Sequence, residues 1–338
     1  MTIPYRTRSF LKRLGISALF LSVVTAVILV CGFIWLDRYV IYSREGVSLN
    51  FQSSSQKLSG HIPSPPLVEN PVSIYYYDSN ESFHAQKELS QISGYYITQE
   101  DLETDFQGVL EQVKRIPAES AVMMDVKSIY GTYFYSSAVS EHRNVDLDIE
   151  AMDKLIKQLC SSNYYTIARV PALRDMRYGL EHVNDGLPVA AGYLWMDDEG
   201  CYWLNPSSDG TLTYLAQIAN ELKNLGFDEV VFCDYYFPDT ESIVYKHDKA
   251  EALSHAAQTL VNTCTNDSFT VSFTAQAEFT APNGRSRIIM EGISAADAAE
   301  NAEKFAFENP QARILFLAEN HDTRFDAYSV LRPISTVE

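Results

Sequence analysis

The sequence predicts a (β/α)8 TIM barrel carried behind one N-terminal transmembrane helix. Three observations lead there. Strand-length apolar runs alternate with helical patterns from residue 91 onward. The stretch from 91 to 338 holds about 248 residues, against roughly 250 typical of such a barrel. No G-x-G-x-x-G follows any strand, which disfavours the runner-up, an open doubly wound sheet.

"ISGYYIT" (Ile92–Thr98) reads as the first strand. Asp101 is placed to cap a helix with Leu102, Phe106, Val109, Leu110 and Val113 on one face, stopped at Pro117. "AVMMDV" (Ala121–Val126) is the second strand, and Ile149, Met152, Leu155, Ile156 and Leu159 line the helix after it. "YYTIARV" (Tyr164–Val170) is the third. The next helix shows Leu212, Leu215, Ile218, Ala219, Leu222 and Leu225, with Gly226 as its C-terminal cap. "LGFDEVVFCDYYFPD" then supplies strand four around Val230–Phe232. A helix over Lys249–Thr263, a strand over Phe269–Phe273 and a strand near Arg287–Glu291 follow. Ser294 with Asp297 makes a capping box for a helix that Pro310 stops. "ARILFLA" (Ala312–Ala318) is strand seven, and "YSVLRP" the eighth; a final helix would be missing or very short.

Leu14 to Leu36 is an uncharged run of 23 residues, and a bilayer span needs roughly 20. Arg6, Arg8, Lys12 and Arg13 precede it, so the N-terminus is expected to stay cytoplasmic and the remainder to be exported. A cleaved signal peptide is the competing reading, but its apolar region usually runs about 7–15 residues to a small-residue site. None is present at "CGFIWLD", and the bulky Val30 before Cys31 argues against a lipoprotein cysteine. The expected plan is a basic cytoplasmic segment (1–13), an anchor (14–36), a Ser/Pro-rich extracellular tether (37–71) and the barrel domain (72–338), with "VSIYYYD" (Val72–Asp78) as an edge strand leading in.

Charge sorts along the same boundary. Residues 1–44 hold six Lys/Arg and one acid; the rest holds 20 bases and 43 acids, a net of −23. So acidic a domain is repelled by nucleic acid and anionic lipid, which leaves neutral or cationic partners. Neutral sugars are one such class, although simple solubility explains the charge as well. The seven histidines are scattered without H-E-x-x-H, and no metal or cofactor is expected. Cys160, Cys201, Cys233 and Cys264 show neither C-x-x-C nor a disulfide framework. Cys160 and Cys264 each end an expected helix, where a buried thiol fits.

In a barrel of this kind the site is built at the C-terminal ends of the strands. Strand two delivers Asp125 and Lys127, strand three Arg169, strand four Asp234, strand five Glu278, strand six Glu291, and strand seven "ENHDTR" with His321 and Asp322. A connection of about 36 residues follows strand three, from Pro171 to Pro206; loops beyond about 12–15 residues are commonly functional. It carries Tyr193, Trp195 and Trp203. Carboxylates with an Arg, a His and aromatics on one rim suit glycoside hydrolysis, which needs two carboxyl groups flanking the bond. Aromatic faces pack on sugar rings, while core packing is their plainer role.

"GYYIT", "VMMDVK", "YYTIARV", the W-x-x-P of "YWLNP" and "LGFDEVVFCDYYFP" together resemble a bacterial family of uncharacterised glycosyl hydrolase-like domains, related in turn to the α-amylase-like barrels. The resemblance runs from about residue 91 to 245. It implies a TIM barrel, activity on glycosidic bonds and export or anchoring. Carried over, it marks Asp125, Lys127, Arg169, Trp203 and Asn205. The family's strand-four pattern, F-D-E-[IV]-x-F-D-Y-V-R-F-P, lies ungapped on Phe227–Pro238, so its aspartate falls on Cys233 and its arginine on Tyr236. Asp234 is displaced by one residue, and on a regular strand one residue changes the face. A bulge would re-aim it. "FLAENHDTR" resembles the strand-seven motif of α-amylase-like enzymes, which implies transition-state contacts from His321 and Asp322, Asp234 as nucleophile and Glu278 as acid, with Glu291 as the substitute acid. The expected protein is a membrane-anchored extracellular hydrolase of a cell-wall or surface polysaccharide. The alternatives are a non-catalytic glycan-binding or scaffold barrel and, least favoured, an ectodomain serving membrane protein partners.

Overall fold

The computed structural model describes residues 40–43, 46–49, 88–275 and 279–337. The expected anchor at 14–36, most of the tether and the strand expected at Val72–Asp78 lie outside them. Among the described residues no helix is long and apolar enough to cross a membrane. The chain divides into two units, Met1–Glu81 and Ser82–Glu338. Within the first, Val40–Ser43 and Gly46–Leu49 pair antiparallel, inside the stretch expected to begin the tether.

The second unit is a closed barrel of eight parallel strands: β1 (Ser93–Ile97), β2 (Ala121–Asp125), β3 (Tyr165–Pro171), β4 (Glu229–Cys233), β5 (Thr270–Thr274), β6 (Ile288–Glu291), β7 (Ile314–Leu317) and β8 (Ser329–Pro333). Neighbours in sequence are neighbours in the sheet, and β8 closes the ring on β1 through Leu331 opposite Gly94. Closure replaces the open doubly wound sheet. A short 3-10 turn, Ile334–Thr336, follows β8.

The helices are α1 (Gln99–Thr104), α2 (Phe106–Val113), α3 (Ile149–Cys160), α4 (Met176–Glu181), α5 (Asp209–Leu225), α6 (Lys249–Cys264), α7 (Ala298–Glu303) and α8 (Pro310–Arg313). The long amphipathic ones fall where periodicity placed them, and Gly226 caps α5 with φ +102°, a left-handed value that favours glycine. Two local expectations are corrected. The single helix from Asp101 is two: Thr98 caps α1, with Asp101 answering from its third position, while the Asp105 side chain accepts from Gly108 N and starts α2. Ser294 does bond Asp297, at 2.7 Å, but α7 begins only at Ala298 and ends at Glu303; Pro310 opens α8 instead, at a first turn where its missing N–H costs nothing.

Alternation assigns the two faces of each strand. Ala121, Met123, Ile167, Val231, Ile289, Leu315 and Leu331 form a separate apolar cluster, the interior of the barrel, while Val122, Met124, Ala168, Val230 and Phe232 belong to the larger core shared with the helices. Below the interior cluster, at the strand N-termini, lies a buried ionic floor. Arg287 is ion-paired with Glu229, and Tyr165 Oη donates to the same carboxylate at 2.8 Å. Arg287 also donates to Ala312 O (2.9 Å) and Ser90 O (3.0 Å), so every donor group of its guanidinium has an acceptor. Such a pair is tolerated in a dry interior only when fully hydrogen-bonded. Arg287→Ala would leave Glu229 buried without its partner, with an expected loss of about 3–5 kcal/mol in urea denaturation. Glu229→Gln combined with Arg287→Met should lose less than Arg287→Ala alone, because no unpaired charge remains.

Candidate active site

Two residues above the interior cluster, on the same strand faces, stand Asp125, Arg169, Cys233 and Glu291. They follow Met123, Ile167, Val231 and Ile289 by one alternation, so all four point into the mouth. Arg169 joins the carboxylates. Its Nη1 donates to Asp125 Oδ1 at 3.0 Å; its Nε donates to Glu291 Oε1 at 3.2 Å and its Nη2 reaches both Glu291 oxygens at 3.2 Å. The other oxygen of Asp125 accepts from the backbone N–H of Gln99 at 2.8 Å. These are charge-assisted bonds in a partly buried setting, stronger than neutral ones. A cleft of about 620 Å³ opens over this cluster, lined by Tyr96, Asp125, Arg169, Glu291, Glu319 and Asp322 among others.

Asp234 lies just beyond β4. A regular strand would send it, like Phe232, to the helix layer. Its φ is instead +48°, in the left-handed region that aspartate visits more readily than most residues. The next residue takes the helix side: Tyr235 is fully buried, and its hydroxyl donates to Leu253 O at 2.6 Å. Asp234 is left in the electrostatic company of Arg169, Arg174, Glu291 and Lys127, all at the C-terminal end of the barrel or on the loops above it. Burial raises its carboxyl above the usual range. Arg169 and Arg174 work against that rise, Glu291 adds to it, and Lys127 opposes it. One left-handed residue, rather than a bulge, breaks the strand alternation there, and Asp234 is not itself among the residues that line the cleft. Cys233 occupies the inward slot, and burial pushes its thiol well above the ordinary cysteine range. Cys160, Cys201 and Cys264 are pushed by burial to about 11, and the four cysteines among the described residues are free.

Other candidates are placed differently. Lys127 does not reach the cleft: its Nζ pairs with Asp175 Oδ2 at 2.7 Å, with neither side chain exposed, and Tyr214 Oη donates to the same oxygen at 2.8 Å. Trp203 is only 2% exposed; its Nε1 donates to Asp197 Oδ2 at 2.9 Å and its ring meets Tyr236 edge-on at 4.8 Å. Trp195 is partly buried 6.4 Å from Trp203, whereas Tyr193 is 65% exposed. None of these aromatics lines the cleft. Asn205 shapes the turn into α5, its Oδ1 accepting from Ser207 N at 2.9 Å. The long connection is thus an organised arm, carrying α4, a 3-10 turn and short bridges such as Pro188 with Leu194 and Met196 with Tyr202.

Asp322 lines the cleft and caps a 3-10 turn; Arg324, donating from both backbone and side chain, holds its carboxyl far below the usual range. His321 is exposed and does not line the cleft. Glu278 lies outside the described residues. Among the described residues no three His, Cys, Asp or Glu side chains are grouped to hold a metal ion. Tyr96 and Glu319 are lining residues that carried no expected role. Tyr96 sits in "GYYIT" on the inward face of β1, and Glu319 in "ENHDTR" directly after β7; being at strand ends was the signal each offered.

The profile of a domain family described as "Putative glycosyl hydrolase domain" matches residues 94–276, a little over half of the chain. A search among curated protein sequences finds no significant match. Among solved structures, similarity extends to a hypothetical protein from Ruminiclostridium thermocellum ATCC 27405 (22% identity, TM-score 0.45, 53% of this chain and 96% of that one). It extends also to a sulfoquinovosidase from E. rectale (12%, 0.40, 60% and 32%) and to alpha-L-fucosidase isoenzyme 2 from Paenibacillus thiaminolyticus (12%, 0.41, 70% and 46%). This chain spans less than half the length of either glycosidase. With identities this low and TM-scores below 0.5, the barrel rests on the chain's own strand order.

The raised carboxyl of Asp234 fixes a sign. Unfolded, it ionises in the ordinary range; folded, it ionises at higher pH, so the native state holds the extra proton between the two values and stability falls as pH rises through that window. Asp234→Asn should flatten this part of the profile and gain stability relative to the parent toward neutral pH, read as denaturation midpoints from about pH 4 to 8. An unchanged slope in the variant would place the carboxyl in water.

Proposed function

The chain belongs to this glycosyl hydrolase-domain family, and from that premise we propose that its barrel mouth binds and hydrolyses a polysaccharide of the cell wall or cell surface. One observation supports the reading: at the C-terminal end of the strands Arg169 holds Asp125 and Glu291 together in the cleft, and Asp234, just beyond β4 with a left-handed backbone, feels the charges of Arg169 and Glu291. Hydrolysis of a glycosidic bond needs two carboxyl groups in different protonation states, and environments that push paired acids apart assign their duties. Asp234, raised by burial, is the proton donor. Glu291, ion-paired with Arg169, is the base or nucleophile. This exchanges the roles expected from sequence for those two residues. Asp125 holds Arg169 in place, Asp322 and Tyr96 contact the sugar, and Lys127 and Trp203 support the loops rather than the substrate. Glu278 is the alternative donor.

In a panel of oligosaccharides, Asp234→Asn and Glu291→Gln should each lower turnover by about 10²–10⁴-fold, the usual scale for a proton-transferring group. Activity should be lost as pH rises through the Asp234 ionisation, since the donor must keep its proton. Unchanged turnover in Asp234→Asn would end the assignment. A second reading, a glycan-binding barrel without turnover, is favoured by Cys233 standing where the family pattern has its aspartate; it expects saccharide binding with no hydrolysis at any pH.

The surface location rests on the uncharged run Leu14–Leu36 and the basic residues before it. Protease added to intact cells should remove the barrel domain while sparing an N-terminal tag. Digestion only after lysis would contradict the orientation.

A further inference from the structure

Resting on the glycoside reading above, we infer that Gly292 is a specificity-determining residue. Its missing side chain keeps clear the room that a sugar ring needs beside the Glu291 carboxylate.

Gly292 directly follows β6, one residue from Glu291, which Arg169 holds at 3.2 Å. The cleft wall continues through it: Glu291, Gly292, Ile293, Ser294 and Ala295 line the cleft in unbroken succession. A Cβ added at Gly292 would find no atom of the described residues within 4 Å. The protein therefore leaves open the space that a side chain would take, next to the carboxylate that acts on the substrate. A reacting atom must approach to about 3–3.5 Å, and a side chain rising from the adjoining residue competes with the ring for that volume.

Neither ordinary reason for a glycine accounts for this one. Where close packing requires glycine in this fold, an added Cβ collides: at Gly94 with the Ala121 carbonyl, at Gly179 with the Tyr202 side chain. At Gly292 nothing collides. Backbone conformation favours glycine there without compelling it. Its φ is +68°, in the left-handed region, yet Glu119 takes +67° and Asp234, at the matching break after β4, takes +48°. Asparagine also visits this region readily. Gly192 and Gly200 are left-handed with open space as well. Each closes a turn on the long arm, donating to Val189 O at 2.9 Å and to Asp197 O at 3.0 Å, and neither lines the cleft. Of the three, Gly292 is the one whose open side belongs to the cleft wall.

The test sets side-chain size against backbone preference. Asparagine is larger than alanine but enters the left-handed region more easily. Gly292→Ala, Gly292→Asn and the parent are compared as full-length chains in detergent, with Gly200→Asn as a left-handed glycine replaced outside the cleft. Each is titrated calorimetrically with cellohexaose, maltohexaose and the hexamer of N-acetylglucosamine, and its thermal midpoint is recorded. A side chain forced into occupied ligand space predicts roughly 10–100-fold weaker binding in Gly292→Asn. Gly292→Ala should lose less affinity while having the lower midpoint, and Gly200→Asn should bind as the parent does. Weaker binding by Gly292→Ala than by Gly292→Asn would overturn the inference, because the glycine would then serve only the turn. Parental affinity in both Gly292 variants would overturn it too, leaving the glycoside reading intact. Binding of none of the three oligomers by the parent would overturn both.

Discussion

The mouth of this barrel is organised by one guanidinium. The strand termini bring Asp125 and Glu291 together above an apolar interior, where two carboxylates alone would repel each other and lose hydration. Arg169 stands between them and bonds both, tying β2, β3 and β6 at the end where the fold offers its loops to a ligand. The Gln99 N–H fixes the remaining oxygen of Asp125, so the clamp is anchored from outside the strands as well. At the opposite end Arg287 and Glu229 repeat the solution in full burial, and the apolar cluster separates the two. The barrel axis therefore runs from an ionic floor through a dry middle to an ionic mouth. Only the mouth is open to solvent, and only there can the charges act on something from outside.

Much of this arrangement was legible in the sequence because burial on two faces writes itself as apolar runs. All eight strands fall where the patterns placed them, within a residue or two at each end, and the long helices α3, α5 and α6 contain the apolar positions expected of them. Asp125, Arg169 and Glu291 were legible too, since a charged residue that ends a buried strand has few places to point except the mouth. What stayed hidden depends on partners remote in the chain. Lys127 reads as a mouth residue until Asp175 and Tyr214 take it out of solvent. Trp203 reads as a sugar platform until Asp197 and Tyr236 bury it. The break at Asp105 was missed because hydrophobic periodicity runs through it, while the cap acts through a single hydrogen bond to Gly108 N.

Asp234 is the case where residue order and geometry part company. Counting residues puts it on the helix side of β4 and puts Cys233 in the mouth. The backbone honours the second statement and breaks the alternation on which the first depends, by one left-handed residue that costs on the order of 1–3 kcal/mol. Strain of that kind persists where the surroundings over-determine it. Here Tyr235 is locked into the helix layer, and Leu173 N–H donates to the Asp234 carbonyl at 3.4 Å. The nearest acid to the family pattern's aspartate thus stands just beyond the strand. The thiol below fills space next to Arg169 without adding charge.

The most direct measurement of the account is a carboxyl-carbon NMR titration of Asp234, in the parent protein and in Arg169→Met. If the left-handed turn delivers the side chain to the mouth, Asp234 titrates above the ordinary aspartate range in the parent and higher still once the Arg169 charge is gone. An ordinary titration, indifferent to Arg169, would contradict it.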